Sequence, residues 1–213
     1  MTRWGMVIDL RKCIGCLTCQ SVCWEINNAP PGVFWRRVVD REIRDTSELQ
    51  RIFLPMNCMH CSDPPCLEVC PTGATYQRGD GIVDIKQELC IGCGACIVAC
   101  PYHTRTISKV DTIGTNSGIA PQDVIEDNSD RIGICTKCNF CIQRVDEGLA
   151  NGLRPGSDFE ATPICVNSCI ANALYFGDLE DPESKVSGLI RENKTVRLQE
   201  KLGTSPAVYY IVE

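Results

Sequence analysis

Cys90-Ile91-Gly92-Cys93-Gly94-Ala95-Cys96-Ile97-Val98-Ala99-Cys100-Pro101 is the stretch from which the rest of the chain becomes readable. Its four cysteines follow a C-x2-C-x2-C-x3-C pattern, and a proline comes directly after the last. Three thiols from one tight loop converge on one face of a bound group. The fourth starts a short helix and leads to a neighbouring group. Gly92 lets the backbone come close, so that N–H groups can point at sulfur. Pro101 offers no N–H and helps fix the exit of the chain.

This is the run that holds cubane iron–sulfur clusters, in which three cysteines bind one cluster and the fourth binds the next. Structural zinc uses separated C-x2–4-C pairs instead. Working outward, the pattern recurs. Group one is Cys13, Cys16, Cys19 and Cys23, with Gly15 where group three has Gly92. Group two is Cys58, Cys61, Cys66 and Cys70, followed by Pro71. Group four contains Cys135, Cys138, Cys141, Cys165 and Cys169. Every group ends in a C-x3-C step.

The flanks repeat as well. Val7-Ile8-Asp9-Leu10 precedes group one and Ile82-Val83-Asp84-Ile85 precedes group three, each a short β-type run feeding a cysteine loop. Cys70-Pro71-Thr72-Gly73-Ala74-Thr75-Tyr76 recurs loosely as Cys169-Ile170-Ala171-Asn172-Ala173-Leu174-Tyr175. Gly79-Asp80-Gly81 is a hairpin signal. The unit is strand, cysteine loop, short helix, hairpin. Among the spacers, Val33 to Val39 reads as a strand, 104–134 as a surface insertion, 148–163 as loop, and Ala207 to Val212 as a terminal strand.

Composition narrows the class. The 213 residues include 17 cysteines, enough to raise a disulfide scaffold. Small secreted disulfide proteins are usually shorter, and their cysteines join distant positions rather than clustering as C-x-x-C. The net charge of −6 offers no basic patch for nucleic acid, and pairs such as Arg36-Arg37 read as solvated surface. No run of about eighteen apolar residues exists to span a membrane. The start, Met1 to Asp9, lacks the pattern of a signal peptide. No Ser–His–Asp set, P-loop or Rossmann fingerprint is visible, so the chain is expected to be non-catalytic.

Two-cluster units require the groups to pair. Groups two and three are neighbours in the chain, which leaves one and four. The expected fold is α+β: two ferredoxin-like [4Fe–4S] units, one inserted in the other, with surface insertions and a C-terminal extension. The outer unit takes 1–50 plus 130–180 and the inner 51–104. The insertion is 105–129 and the extension 181–213. Ligand exchange gives Cys13, Cys16, Cys19 with Cys169; Cys58, Cys61, Cys66 with Cys100; and Cys90, Cys93, Cys96 with Cys70. The fourth set is Cys165 and Cys23 with a C-x-x-C pair, for which Cys135 and Cys138 or Cys138 and Cys141 both serve.

At this level the chain resembles a known family, the iron–sulfur subunits of molybdenum enzymes related to dimethyl sulfoxide reductase, polysulfide reductase and respiratory arsenate reductase. The likeness runs from Met6 to the C-terminus. Its carriers include Asn57-Cys58-Met59-His60-Cys61 with Pro64-Pro65-Cys66, and Lys137-Cys138-Asn139-Phe140-Cys141 with Arg144-Val145-Asp146. Pro163-Ile164-Cys165-Val166, Phe176 to Pro182 and Tyr209-Tyr210 continue it. The resemblance implies that Cys138 and Cys141 are the fourth-site pair and Cys135 a spare thiol. Ile170 stands where the family often has proline, and residues 150–161 look longer than usual.

The family further implies four [4Fe–4S] clusters forming a wire. Single electrons would pass between a large molybdopterin or tungstopterin catalytic subunit and a membrane quinone partner or soluble carrier. Members work on either side of the membrane, exported with a signal-bearing partner. The competing classes are a free-standing soluble polyferredoxin and a zinc-binding module. His60, between two ligands, reads as a packing residue, as do at least two of Trp4, Trp24 and Trp35. His103 reads equally as a cluster neighbour or a surface side chain. Lys12, Lys86 and Lys137 read as solvated side chains beside cysteine loops.

Overall fold

The computed structural model describes residues 1–30, 32–45, 48–108 and 131–212. Most of the insertion expected at 105–129 lies outside the described residues.

The β-type run before group one becomes strand β1 (Trp4–Asp9), buried at every position. Such burial requires cover on both faces. Trp4, Met6 and Ile8 point into the main core with Phe140, Phe176 and Tyr210. Val7 points to the other face, against Val186 and Ile211. Two distant strands flank β1. β8 (Leu174–Asp178) runs antiparallel, pairing Ile8 with Leu174. β10 (Val208–Ile211) runs parallel, pairing Met6 with Val208. β9 (Thr195–Val196) closes the sheet order β8-β1-β10-β9. The terminal strand expected at 207–212 is therefore an interior strand of the sheet. Helix α6 (Lys185–Glu192) places Val186 over Val7, and Ser184 caps it by accepting from the Ser187 N–H.

β4 (Thr75–Gln77) and β5 (Val83–Ile85) form the hairpin expected from Gly79-Asp80-Gly81. The Arg78 N–H donates to the Ile82 carbonyl at 2.8 Å, and Gly81 takes a φ of +84°. This hairpin links α2 (Pro65–Glu68) to α3 (Ala95–Ala99), which pack together. In the same manner α1 (Thr18–Ile26) packs against α5 (Ile164–Asn167), although these come from opposite ends of the chain.

Between Val33 and Val39 the expected strand starts late. β2 (Arg37–Asp45) pairs with β3 (Glu48–Met56), but Val33 and Trp35 precede it. They leave the extended path to pack on Cys23, and Trp35 Nε1 donates to Thr136 Oγ1 at 3.0 Å. β6 (Thr106–Ile107) and β7 (Cys135–Thr136) form a short pair at the edges of the expected insertion. Helix α4 (Ile142–Ala150) extends into 148–163, which continues as turns. Among the described residues no helix is long and apolar enough to cross a membrane.

Candidate metal centres

One backbone device recurs in all four cysteine groups. The residue between the paired cysteines is left-handed: Gly15 (φ +69°), His60 (+42°), Gly92 (+66°) and Phe140 (+60°). Turning the chain there gathers neighbouring N–H groups into a concave nest that suits an anion. Glycine is needed at two of these positions for crowding as well as for φ. A Cβ on Gly15 would lie 2.3 Å from the Phe53 ring, and one on Gly92 would lie 1.9 Å from the Gly133 carbonyl oxygen. A second device follows the last cysteine of two groups. Gly73 (φ +67°) and Asn172 (φ +48°) stand three residues after Cys70 and Cys169, and each turns the chain into a buried alanine and a strand.

The cysteines gather in four places. Cys13, Cys16, Cys19 and Cys169 line one recess. Cys58, Cys61, Cys66 and Cys100 line another. Cys70, Cys90, Cys93 and Cys96 line a third, where Cys135 also stands. Cys23, Cys138, Cys141 and Cys165 are mutual electrostatic neighbours at the fourth. Each place combines three thiols of one group with the last thiol of another, or in the fourth case Cys23 with three of group four.

Cys135 is set apart from Cys138 and Cys141. It lies in β7, its Sγ 3.6 Å from Cys96 Sγ, and its N–H donates to Cys90 Sγ at 3.3 Å. The hydrogen bond between the pair makes Cys96 the more acidic thiol and Cys135 the one that keeps its proton.

Sulfur receives other donors too. The Thr75 N–H reaches Cys70 at 3.4 Å, and the Ala173 N–H reaches Cys169 at 3.3 Å, in neighbouring places of the repeat. The Phe140 N–H donates to Cys138 at 3.5 Å. Such bonds to ligand sulfur tune cluster potentials. Burial pushes the Cys23 and Cys61 thiols up to about 12, and Cys19 and Cys141 to about 11. Metal binding must therefore displace protons from these sites. Cys16 is exposed and its thiol is lowered by Thr18.

The expectation of solvated charge fails at two positions. Arg36 is 1 % exposed, and Lys137 is 3 % exposed. Lys137 Nζ donates to the carbonyls of Val83 and Cys138 and lies 4.0 Å from Asp84. Arg36 Nη2 donates to Met6 Sδ at 2.8 Å, while Nε and Nη1 have no partner among the described residues. Arg105, unremarked in the sequence, is also buried; its Nη2 donates to Cys66 Sγ at 3.0 Å. Burial works against both guanidinium charges. Once the thiols around them are ionised, as cluster ligands are, their charges more than offset it, Cys165 and Cys19 foremost at Arg36, Cys66 and Cys58 at Arg105. Nothing in the local sequence marks these arginines; only the burial of their neighbours does.

Lys12 and Lys86 are exposed, as is His103. His60 is buried, accepts from the Val83 N–H at Nδ1 (3.1 Å) and stacks on Phe140. Burial, with the charges of Lys137, Arg3 and Arg105 nearby, keeps its imidazole neutral. Trp4 and Trp35 are core residues.

These residues fit iron–sulfur cubes. Four thiols spread round each of three recesses. A buried guanidinium with unpartnered N–H groups calls for an anionic acceptor. A thiolate-bound cube supplies both the charge and the sulfur.

Comparison with known proteins gives the class first. Two family models, both described as 4Fe-4S dicluster domain, match residues 49–117 and 5–71. The chain is accordingly an iron–sulfur protein with four [4Fe–4S] clusters. Its relatives narrow this. A selenate reductase subunit of Mesobacillus selenatarsenatis is 41 % identical over 98 % of this chain and 72 % of its own length. A putative dimethyl sulfoxide reductase iron-sulfur subunit of Halobacterium salinarum is 39 % identical over 99 % of this chain and 79 % of its own. The arsenate respiratory reductase iron-sulfur subunit of a Shewanella species is 33 % identical, covering 98 % of this chain and 96 % of its own length. The chain belongs to the iron–sulfur subunits of molybdopterin oxidoreductases, which transfer electrons and are not themselves catalytic.

Proposed function

We propose that this chain relays single electrons between a molybdopterin or tungstopterin catalytic subunit and a membrane quinone partner or soluble carrier. The observation that carries the reading is the gathering of sixteen cysteines at four places, joined to similarity over nearly the whole chain with subunits of respiratory reductases.

The proposed ligand sets are Cys13, Cys16, Cys19, Cys169; Cys58, Cys61, Cys66, Cys100; Cys70, Cys90, Cys93, Cys96; and Cys23, Cys138, Cys141, Cys165. The left-handed Phe140 supports this register, because it holds the same place after Cys138 as Gly15, His60 and Gly92 hold in their groups. The proposed organisation nests an inner unit at 51–104 within an outer unit made of 1–50 and 130–180. The packing of α1 on α5 and of α2 on α3 supports that nesting. The chain's own residues then have definite tasks. The thiols hold the clusters, the backbone N–H groups donate to sulfur, and the buried aromatics exclude water. The clusters supply one-electron redox chemistry.

Purification at native expression tests the partner. Co-elution with a large molybdenum- or tungsten-containing chain is expected; a stable monomer that serves many redox partners would sink the subunit reading. Iron analysis tests the ligands. Full loading is about sixteen iron per chain, as four cubes require. Cys135→Ser should leave all four cluster signals in place, whereas Cys141→Ser should lose or convert one. The opposite result would shift the register by three residues.

A further inference from the structure

Several cations among the described residues meet a carboxylate. Arg11 meets Asp9, Arg51 meets Asp40, Arg78 meets Asp80 and Asp146, Arg197 meets Glu200, and Lys137 lies near Asp84. Arg36 and Arg105 are different. Both are buried, and neither has an Asp or Glu partner among the described residues. Among the described residues the Arg36 side chain makes one bond, to the thioether of Met6, and leaves Nε and Nη1 unpartnered. Arg105 bonds Thr75 Oγ1 at 3.1 Å through Nη1 and Cys66 Sγ at 3.0 Å through Nη2, with Cys135 Sγ 3.9 Å away.

Their neighbours fall into a pattern. The groups that face Arg36 are Cys19, of the first ligand set, and Cys23, Cys138 and Cys165, of the fourth. Those that face Arg105 are Cys58 and Cys66, of the second set, and Cys96, of the third, with Cys135. Each arginine therefore lies within electrostatic reach of thiols from both sets of one unit. The sequences around them, Phe34-Trp35-Arg36-Arg37 and His103-Thr104-Arg105-Thr106, are not alike. The correspondence is in position only.

We propose that Arg36 and Arg105 are the fixed counter-charges of the two cluster pairs. Each raises the reduction potential of both clusters in its own unit. Reduction adds one negative charge to a cluster, and a cation at its ligand sulfurs favours that state. Arginine does not lose its proton in proteins, so the effect is present at every working pH. In a buried site the attraction is screened far less than at the surface. The inference rests on the ligand sets proposed above.

Potentiometric titration followed by EPR, on the cluster-loaded complex with iron and sulfide counted, tests it. Arg36→Met should lower the potentials of two clusters and leave the other two unchanged. Arg105→Met should lower the complementary two. The expected size is at least a tenfold change in the oxidised-to-reduced ratio at fixed potential, about 59 mV for one electron. Arg36→Lys and Arg105→Lys keep the charge and should restore most of the shift. Unchanged potentials with full iron would overturn the proposal, and so would an equal shift of all four clusters. Where a methionine variant loses iron, Arg36→Gln and Arg105→Gln keep hydrogen bonding without charge; full iron and wild-type potentials there would overturn it equally. Failure of the ligand sets would show separately. The two shifted clusters would then not be those whose signals vanish in cysteine variants of the matching sets.

Discussion

α2 and α3 are joined by one hairpin, β4–β5, within a single stretch of chain. α1 and α5 reach a comparable packing from opposite ends, tied by β1 against β8 and β10. The first arrangement needs only a short loop to close. The second must offset a long closure, but that entropy grows only slowly with loop length. What offsets it is a sheet with an apolar core on both faces, from Phe176 and Tyr210 on one side to Val186 on the other. Similar cysteine geometry can thus rest on local turns or on distant strand pairing, and the two should fail differently.

The sharpest way to break the symmetry is to attack the sheet. Val208 is fully buried and pairs with Met6. Val208→Asp places a charge where none can be solvated, at a cost of several kcal/mol, on the order of the domain's whole margin. Iron analysis should show loss from the proposed outer sites, Cys13 to Cys23 and Cys138 to Cys169. The proposed inner sites, stapled by the β4–β5 hairpin, should keep theirs. Equal loss from all four sites would mean the two regions fold as one.

A smaller effect separates crowding from backbone strain. Gly92→Ala sets a Cβ against the Gly133 carbonyl as well as straining φ, and should cost about 2–5 kcal/mol. Gly94→Ala, also left-handed but with open space around it, should cost only about 1–2 kcal/mol. Leu17 already holds the matching left-handed position in group one. Thermal denaturation of both variants, fully loaded, checks the order.

The smallest concerns pH. The Arg11 side chain, bonded to the Asp9 carboxylate at 2.8 Å, holds that carboxyl below its usual value. A lowered folded pKa stabilises above the unfolded value, near 4, and the gain is lost as pH falls through the folded one. Asp9→Asn should lower Tm slightly at pH 7 and flatten its fall between about pH 5 and 3. An identical acid profile in both proteins would remove Asp9 from the account.

Legibility in the sequence follows the same divide. The hairpin at Gly79-Asp80-Gly81, with the run at 82–85 that forms its second strand, could be read because its partner is adjacent. The interior place of β10 could not, since nothing local tells a parallel partner of β1 from an appended strand. The strand start moved from Val33 to Arg37 because Trp35 found Thr136 across the fold. At the metal centres the cysteine spacing suggested which thiols meet, and the left-handed Phe140 supports the proposed register, which spacing alone left open between Cys135 and Cys141. The charges misled. Arg36 and Lys137 look like surface residues by type, and their burial depends on carbonyls and sulfurs supplied from elsewhere in the chain.

The distant pairing of β1 with β8 has a consequence for biogenesis. Cys58 to Cys100 have all been synthesised before any of Cys138, Cys141, Cys165 and Cys169 exists. Chains fold from the N-terminus as segments emerge. On the proposed ligand sets, the inner sites hold all their thiols early. Cys13, Cys16, Cys19 and Cys23, made first of all, wait longest for their partners. During translation the oldest cysteines are the last to be sheltered, and Cys16, exposed even in the finished protein, is where oxidation during assembly would begin.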